Sequence, residues 1–319
     1  MKKLLRSLRV IAFSTIFLGT IFQASAQSRL EVGVGLGPMF FLGDLGGHKG
    51  VGKTFLKDLN IPLTKFSTGL FLNAYPTEWL GFRIAANRGK VEGYDNIIKD
   101  KNGDEYFRKL RNLQFRSNIL EAYAAAEFYP TVFIERYDEL QGKLRPYGVF
   151  GIGLFHFNPK GEYFDANGTG TWVALQPLHT EGEGMAEYPD RKNYKLTQME
   201  IPMGFGIKYY IKESFYIGAE VLHRKTFTDY IDDVSTNYID QSLFDQYLTP
   251  AQAKMARQLN YRENFPNNLN TRPGLNEQRG NPKQNDAFFS TILKLGWRLT
   301  DPNSPGARAA RQMRCPSFY

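Results

Sequence analysis

The segment MEIPMGFGIK, residues 199–208, carries an apolar side chain at every second position. In an extended chain, successive side chains point to opposite faces, so the two faces of this segment differ in chemistry. The apolar face holds Met199, Ile201, Met203, Phe205 and Ile207, and the opposite face holds Glu200, Pro202, Gly204, Gly206 and Lys208. The pattern predicts a β-strand with one apolar side and one side of small or charged residues.

Apolar side chains alternate with small or charged ones, or are spaced by glycine, in seven further segments: 30–37, 65–72, 80–87, 120–128, 145–157, 215–222 and 289–299. The pattern in 145–157 leaves open which side chains share a face. Most of these segments approach the ~9–11 residues that a tilted membrane strand needs. With 14% aromatic residues and 30 glycines, the sequence predicts an all-β fold, an eight-stranded antiparallel transmembrane β-barrel over residues 27–300.

The face that carries glycine and charge is expected to point inward, because the lumen of an eight-stranded barrel is narrow and filled by side chains. Charges of both signs recur on this face, which predicts buried ion pairs in place of an open pore. The predicted members of this network are Arg83, Glu121, Glu127, Glu200, Lys208, Glu220, Arg224, Lys294 and Arg298.

The connections between the predicted strands alternate in length. Segments 42–64, 92–114, 159–195 and 229–285 are long, 75–79 and 211–214 are short, and 130–144 is intermediate. Outer-membrane barrels have long outer loops and short periplasmic turns, which gives this chain its predicted orientation. Aromatic residues at the periplasmic strand ends are expected to form an interfacial girdle: Tyr75, Trp79, Tyr129, Tyr209, Tyr210 and Trp297.

Residues 1–26 have the pattern of a secretory signal peptide. Four basic residues precede a mostly apolar stretch from Val10 to Phe22, and Ala24-Ser25-Ala26 forms a small-residue cleavage site. No cysteine follows that site, so a lipoprotein signal is not indicated, and no later segment is apolar for the ~20 residues of a spanning helix. The sequence therefore predicts export to the outer membrane, in contact with its lipid and lipopolysaccharide. The formal net charge of +8 does not select a partner, and nucleic acid is not expected in that compartment.

The segment GHKGVGKT, Gly47–Thr54, fits the nucleotide-binding pattern GxxxxGK[ST] letter for letter. That motif works only between a buried parallel strand and a helix whose N-terminus holds the phosphates. Here it falls in the first predicted outer loop, and Pro62 follows it. No apolar run ending in aspartate is evident, and nucleotide is scarce outside the cytoplasm. We therefore interpret Gly47–Thr54 as a chance match and predict no nucleotide or other cofactor.

Two site hypotheses remain. Asp229, Asp232 and Asp233, with Asp240 nearby, offer carboxylates to a calcium ion, but the EF-hand spacing and its glycine are absent, so a solvated acidic loop is the simpler interpretation. His48, His156, His179 and His223 raise the possibility of a lipid A deacylase-like enzyme. Such chemistry needs a serine beside a base, and no serine is clearly placed there, so no enzymatic activity is predicted.

Several segments resemble the PorG-type outer-membrane barrels of the Bacteroidetes type IX secretion and gliding system, a family also described as a domain of unknown function. The resembling segments are spread over most of the chain: 31–46, 144–163, LQPLHTEGEG (175–184), 201–211, GAEVLHRKTFTDYIDDVSTNYID (218–240), QRG (278–280) and the terminal Cys315–Phe318. A stretch around 243–275 looks inserted. The resemblance implies a non-enzymatic barrel that associates with a periplasmic ring of the secretion machinery.

The C-terminal segment 301–319 is surplus to closing the barrel and is predicted to be a periplasmic tail. Its cations, aromatic residue and thiol are candidates for docking onto that ring: Arg308, Arg311, Arg314, Cys315 and Phe318. Cys315 is the one cysteine of the chain, so it is either a free thiol or part of an intermolecular disulfide. A solvated tail without a partner remains an alternative. So does a stand-alone small barrel with adhesive loops or lipid-modifying activity.

Overall fold

The computed structural model describes residues 29–45, 64–97, 105–134, 140–262 and 274–299. Within these ranges, the chain forms ten strands: β1 Arg29–Leu42, β2 Lys65–Tyr75, β3 Leu80–Tyr94, β4 Gln114–Phe128, β5 Leu144–His156, β6 Lys160–Phe164, β7 Gly170–Ala174, β8 Thr197–Lys212, β9 Phe215–Thr226 and β10 Ala287–Arg298. Three α-helices are described: α1 Glu105–Arg111, α2 Leu243–Tyr247 and α3 Pro250–Asn260.

Eight of these strands form one closed antiparallel barrel in the order β1, β2, β3, β4, β5, β8, β9 and β10. Strand β10 pairs with β1, from Glu31 opposite Arg298 to Leu42 opposite Ala287, and this pairing closes the barrel. The short hairpin β6–β7 extends the sheet beyond β4 through the pair Arg116 and Lys160. The predicted eight-stranded antiparallel barrel is therefore confirmed.

Alternating burial along each strand separates an apolar exterior from a polar interior. On β8, Phe205 is 68% exposed, whereas Glu200 and Lys208 are fully buried. Met199 faces outward in the same way, and the half-buried Ile201 and Met203 lie on that face. The structure also settles the facing of β5: Phe150, Ile152 and Leu154 are exposed, and Tyr147, Val149 and Phe155 are buried.

The strands run further at the outer end than alternation alone indicated. Strand β3 extends to Tyr94 and β4 begins at Gln114, so this pair stays in register well beyond the apolar belt. The predicted long loops also contain regular structure: 159–195 includes the β6–β7 hairpin, and 229–285 includes α2 and α3. Thr249 starts α3, because its hydroxyl accepts the Gln252 N–H while the Gln252 side chain accepts the Thr249 N–H. No helix of the described residues is long and apolar enough to cross a membrane.

The predicted aromatic girdle is wrong for three of its six members. Trp79, Tyr209 and Trp297 are exposed on the outer surface, but Tyr75, Tyr129 and Tyr210 are buried. Tyr75 and Tyr210 lie at inward positions of their strands, where their hydroxyls bind Glu31. A tyrosine can either donate a hydrogen bond to a buried carboxylate or lie at the lipid–water interface. The presence of a tyrosine at a strand end therefore does not show which of these two roles it has.

Candidate functional site: the filled lumen and the outer cap

Arg83 lies at the centre of the lumen between two carboxylates. Its Nε donates to Glu127 Oε1 at 2.7 Å, and its Nη1 and Nη2 donate to the two oxygens of Glu220 at 2.9 and 2.7 Å. Lys294 Nζ lies 3.2 Å from Glu220 Oε2, and the Tyr147 hydroxyl donates to the same oxygen at 2.6 Å. The guanidinium thus links β3 to β4 and, across the lumen, to β9.

Lys208 forms a second layer near the periplasmic end. Its Nζ lies 3.0 Å from Glu31 Oε2 and 3.3 Å from Glu127 Oε2, and it donates to the Tyr75 hydroxyl at 2.5 Å. Four tyrosine rings surround this ammonium with centroids 4.7 to 5.5 Å away: Tyr75, Tyr129, Tyr147 and Tyr216. Carboxylates and ring faces together replace the water that the ammonium loses on burial.

A third layer lies toward the outer end, where Arg224 binds Glu121. Arg224 Nε donates to Glu121 Oε2 at 3.1 Å and Nη2 to Oε1 at 2.5 Å. Asn87 also donates to Glu121 Oε1, at 2.5 Å. Glu200 is buried close to Glu121 and Arg224, but it forms no ion pair with a described residue. The expectation that Glu200 pairs with an opposite charge is therefore wrong within the described chain.

Together the three layers fill the lumen with side chains. Nine charged residues are at most 2% exposed there: Glu31, Arg83, Glu121, Glu127, Glu200, Lys208, Glu220, Arg224 and Lys294. Glu31 was missing from the predicted network, although its place between the apolar Leu30 and Val32 marked it as inward-facing. An interior closed by buried, mutually bonded charges leaves no path for a polypeptide.

Arg298 was predicted to join the lumen network, and the structure places it elsewhere. Its Nη1 donates to the Glu213 carbonyl at 3.0 Å and lies 3.4 Å from Glu213 Oε2, in the turn between β8 and β9. Arg298 is the last residue of β10, so its long side chain reaches the periplasmic rim. Alternation gives the face of a residue but not its height along the barrel axis.

The described parts of the four outer loops pack into one outer cap, which we define as 43–45, 95–97, 105–113, 157–196, 227–262 and 274–286. An apolar cluster seals the cap onto the barrel end, where Phe155 and Phe157 stack at 5.5 Å and Phe155 meets Phe288 edge-on at 5.5 Å. Further side chains from the third and fourth loops complete the cluster: Leu175, Leu178, Ile231, Val234, Phe244, Ala253, Ala256 and Leu259.

A buried ion pair joins the third and fourth outer loops. Arg279 Nη1 lies 2.7 Å from Glu181 Oε1, and both side chains are at most 1% exposed. Glu181 also accepts the Thr236 N–H at 2.8 Å, and Arg279 donates to the Asp233 carbonyl at 2.6 Å. Glu181 and Arg279 lie in the separate segments LQPLHTEGEG and QRG, which carried the family resemblance. The contact gives those segments a shared structural role.

Arg111 forms a second buried ion pair within the second loop and also links that loop to the first and fourth loops. Arg111 Nε donates to Asp95 Oδ2 at 2.8 Å, and Nη2 donates to Asp95 Oδ1 and to the Asp44 carbonyl, each at 3.0 Å. Arg111 Nη1 donates to the Arg279 carbonyl. The four outer loops therefore hold one another over the barrel mouth.

Two of the three aspartates considered as metal ligands, Asp232 and Asp233, have separate hydrogen-bond partners. Asp233 accepts the Thr180 hydroxyl and the Tyr194 hydroxyl, each at 2.6 Å. Asp232 accepts the N–H groups of Leu45 and Val234 at 2.9 and 3.0 Å, and Asp229 is buried near Ser235. In the part of the chain that the structure describes, no three acidic, histidine or cysteine side chains are arranged to hold a metal ion.

The cap buries several carboxyl groups, of which Glu183 and Asp229 form no ion pair with a described residue. Burial raises the pKa of Glu183 to about 8, and the neighbouring Asp233 and Glu181 add to the rise. Burial likewise raises the pKa of Asp229 to about 8. The pKa of Asp233 reaches only about 6, because burial raises it while the Arg279 guanidinium lowers it. The cap thus holds acidic groups that bind protons near neutral pH.

The histidines on the barrel wall lie at outward-facing positions. His156 is exposed at the outer end of β5, where its Nδ1 shares a hydrogen bond with Thr197 Oγ1 at 3.0 Å. His223 on β9 is half-buried, opposite Met203 on β8 and Phe289 on β10. The described partner of His156 is thus a threonine, whereas a hydrolytic triad requires a serine and an orienting acid.

Several predicted features lie outside the described residues. These are the signal peptide 1–26, the motif Gly47–Thr54, and the tail 301–319 with Arg308, Arg311, Arg314, Cys315 and Phe318.

Comparison with protein families gives one match. Residues 175–246 match a family described as "Domain of unknown function (DUF6089)". The matched segment runs from the third outer loop through β8 and β9 into the fourth loop, and it contains Glu181, Asp232 and Asp233. No curated protein matches this chain in sequence.

Among solved structures, the chain is similar to small outer-membrane proteins at about 9% identity. The Ail attachment invasion locus protein of Yersinia pestis, in complex with the heparin analogue sucrose octasulfate, has a TM-score of 0.33 at 9% identity, covering 85% of this chain and 97% of that chain. For Neisserial surface protein A the TM-score is 0.36, with 9% identity and coverage of 85% and 97%. For a major outer membrane protein from Thermus thermophilus it is 0.37, with 9% identity and coverage of 85% and 99%. These TM-scores are below 0.5, so the barrel architecture rests on the strand pairing of this chain.

Proposed function

We propose that this chain is a non-enzymatic outer-membrane barrel that anchors other proteins and transports nothing through its lumen. The observation that carries the proposal is the closure of the barrel at two levels. Nine buried charged residues fill the lumen, and the outer loops are held over its mouth by the ion pair of Arg279 with Glu181 and by the hydrogen bonds of Arg111 to the Asp44 and Arg279 carbonyls. The outer wall of such a closed barrel can hold it in the membrane. Its periplasmic end and its outer cap are then the two surfaces that can bind other proteins.

The outer surface supports a location in the membrane. Large apolar side chains are exposed around the barrel wall, including Phe66, Leu70, Ile84, Phe150 and Phe205. A soluble protein rarely exposes so continuous an apolar surface, whereas a lipid-facing belt requires one. Trp79, Tyr209 and Trp297 lie at one edge of the belt, where amphipathic aromatic side chains suit the lipid–water interface.

More specifically, we propose that the barrel is a component of the type IX secretion machinery and anchors the periplasmic ring of that machinery. Two observations support it. The resembling segments run over most of the chain, and two of them meet in the buried pair of Glu181 and Arg279. The family match at 175–246 includes three of these segments in full: 175–184, 201–211 and 218–240.

The proposed docking surface is the periplasmic end, chiefly the tail 301–319 together with turn 130–144. Phe133 and Ile134 in that turn are 67% and 89% exposed beside Trp79. The tail offers Arg308, Arg311, Arg314, Cys315 and Phe318, which combine cations, a thiol and an aromatic anchor. Buried aromatic and arginine side chains carry much of the binding energy of protein interfaces.

The test is truncation of the chain after Thr300, followed by purification of the barrel from detergent-solubilised outer membrane. We expect the truncated barrel to stay in the membrane, to lose its co-purifying ring proteins and to stop secretion. Cys315→Ser is the matched variant, since it removes a covalent link and leaves the rest of the tail. Unchanged co-purification and secretion after truncation would rule out the tail as the docking element.

The outer cap favours a second candidate, a stand-alone barrel whose loops bind an extracellular ligand. The observation is the packed cap itself, because a loop that only connects strands needs no core or buried ion pairs. Arg279→Met should loosen the cap without touching the periplasmic end. Loss of cell-surface binding with secretion intact would favour this candidate over the anchoring role.

A further inference from the structure

The outward face of the barrel changes from apolar to basic at one level along β2, β3 and β4. Leu70, Ala86, Ala122, Leu154 and Met199 lie opposite one another on consecutive strands and form a row without a polar side chain. The next outward row toward the cap is Thr68, Arg88, Leu120, His156 and Thr197. On these five strands, Arg88 is therefore the first outward-facing cation above the apolar row.

Further cations follow Arg88 on the same side of the barrel. Lys90 continues β3, Arg116 lies at the outer part of β4, and Lys160 begins β6. Lys65 at the start of β2 joins them, since its Nζ and that of Lys90 lie 3.1 and 2.6 Å from the two oxygens of Glu92. We call Lys65, Arg88, Lys90, Arg116 and Lys160 the basic patch.

Three cations of the basic patch have no carboxylate partner among the described residues. Arg88, Arg116 and Lys160 form no ion pair there, although Arg116 and Lys160 lie directly opposite each other on paired strands. Like charges at these opposed positions repel, and Glu92, which lies opposite Arg116 on β3, is already shared by Lys65 and Lys90. The Arg116 guanidinium lies 4.0 Å from the centroid of the Trp172 ring, which orients it and leaves its N–H edges free to donate.

We propose that the basic patch binds phosphate groups of lipid in the outer leaflet. This inference rests on the proposed outer-membrane location, since only a bilayer places phosphates at the edge of the apolar belt. Arginine and lysine side chains bind phosphate through charge-assisted hydrogen bonds, and arginine does so with two parallel donors. The patch carries five cations against Glu92 and the nearby Glu162, so a net positive charge faces the headgroup level. Bound phosphate would also relieve the repulsion between Arg116 and Lys160.

The test uses the full-length protein in phosphatidylcholine nanodiscs doped with bisphosphorylated lipid A or with the same lipid after removal of its phosphates. Native mass spectrometry counts the lipid A molecules that remain bound after release from the disc. We expect the wild-type protein to retain the phosphorylated lipid and to lose the dephosphorylated one. Arg88→Gln and Lys160→Gln should each lower retention about fivefold, the effect of one cation at a membrane surface.

Lys225→Gln is the matched control, because Lys225 is also exposed and outward-facing on its strand, β9, but lies outside the patch. Heat-modifiable mobility on gels reports whether each variant is folded; Arg88 and Lys160 form no ion pair with a described residue, so their variants should fold. Equal retention by the wild type and the Arg88→Gln/Lys160→Gln double variant would overturn the proposal, as would equal retention of dephosphorylated lipid. If the wild-type protein inserts in the discs but retains no lipid A, the proposal that the basic patch binds phosphate is refuted and the membrane location is not. Failure to insert in any bilayer refutes the outer-membrane location as well.

Discussion

The lumen and the outer cap both bury charged side chains, and they stabilise them by different means. In the lumen, Arg83 meets the carboxylates of Glu127 and Glu220 at hydrogen-bonding distance. In the cap, Asp232 accepts two backbone N–H groups and Glu183 accepts one, and neither forms an ion pair with a described residue. Counter-charge stabilises the lumen charges other than Glu200, whereas the cap adds to its two buried ion pairs several carboxyl groups that rely on backbone donors and bound protons.

The difference follows from backbone geometry. The N–H groups of barrel strands are largely committed to the ladder, so an inward-facing carboxylate depends on donors from other side chains. The irregular chain of the cap leaves N–H groups free, and these can point at a carboxylate without any cation. We therefore expect the lumen to depend on paired residues and the cap to depend on pH.

The largest effect is expected from Arg83→Met. Removing the guanidinium leaves Glu127 and Glu220 buried and short of counter-charge, which costs about 3–5 kcal/mol when one partner of a buried pair is lost. The measurement is denaturant unfolding of the refolded barrel in detergent micelles. The matched control is Arg88→Met on the same strand, which faces outward and forms no ion pair with a described residue. Comparable losses for the two variants would contradict a lumen held by ion pairs.

The next largest loss of stability is expected from a charge placed on the outer wall of the barrel. Met203→Arg places a charge on the outward face near the middle of β8, which should destabilise a membrane-inserted barrel by about 2–4 kcal/mol. Thr197→Arg at the outer end of the same strand should cost at most about 1 kcal/mol, because depth governs the penalty. Unfolding from lipid vesicles measures both. If the two substitutions cost the same in vesicles, the apolar belt does not face lipid.

The sequence predicted the barrel better than the cap, for a physical reason. In any half-buried strand, apolar and polar side chains alternate with a period of two. This alternation in residues 199–208 and in the other seven segments therefore identified the strands and the inward-facing charges. Height along the barrel axis has no such signal, and for this reason Arg298 was misplaced. Tyr75 was assigned to the wrong surface because its position at a strand end was given more weight than its inward place in the alternation of β2. Glu31 could have been included, since it alternates with Leu30 and Val32.

The cap depends on contacts that no local pattern encodes. Glu181 and Arg279 are 98 positions apart and meet only because four loops pack together. The buried cluster around Phe157, Ile231 and Val234 likewise draws on separate loops. Helix α3 was the one element of the cap with a local signature, since Thr249, Pro250 and Gln252 form a capping box with proline at the first turn.

A pH titration should separate the two regions further. Burial raises the pKa of Glu183 to about 8, above its value of about 4.3 in an exposed chain. The closed cap thus binds more protons than the open cap between these values, so its stability is complete below about pH 4 and falls as pH rises toward 8. The slope contributed by one such group approaches about 1.4 kcal/mol per pH unit.

Hydrogen exchange of residues 176–196, corrected for the intrinsic pH dependence of exchange, measures this loss of stability. We expect faster opening at pH 8 than at pH 5 in the wild-type protein. Glu183→Gln keeps the shape of the side chain and removes its titration, so it should flatten the profile. A profile that stays equally steep in Glu183→Gln would assign the pH dependence to other carboxyl groups, such as Asp229.

The smallest effect is expected from Glu200→Gln, and it tests whether counter-charge is the rule at every lumen position. Glu200 is fully buried yet forms no ion pair with a described residue, and the neighbouring Glu121 already binds Arg224. A second carboxylate beside Glu121 repels it, so replacing Glu200 with a neutral amide of the same shape should change the free energy of unfolding by less than about 0.5 kcal/mol or increase it. Glu121→Gln is the matched variant and should cost about 3 kcal/mol, because Arg224 then lacks its partner. Denaturant unfolding in micelles compares the two directly. Equal losses would mean that Glu200 shares in neutralising Arg224, and the lumen would then follow one rule throughout.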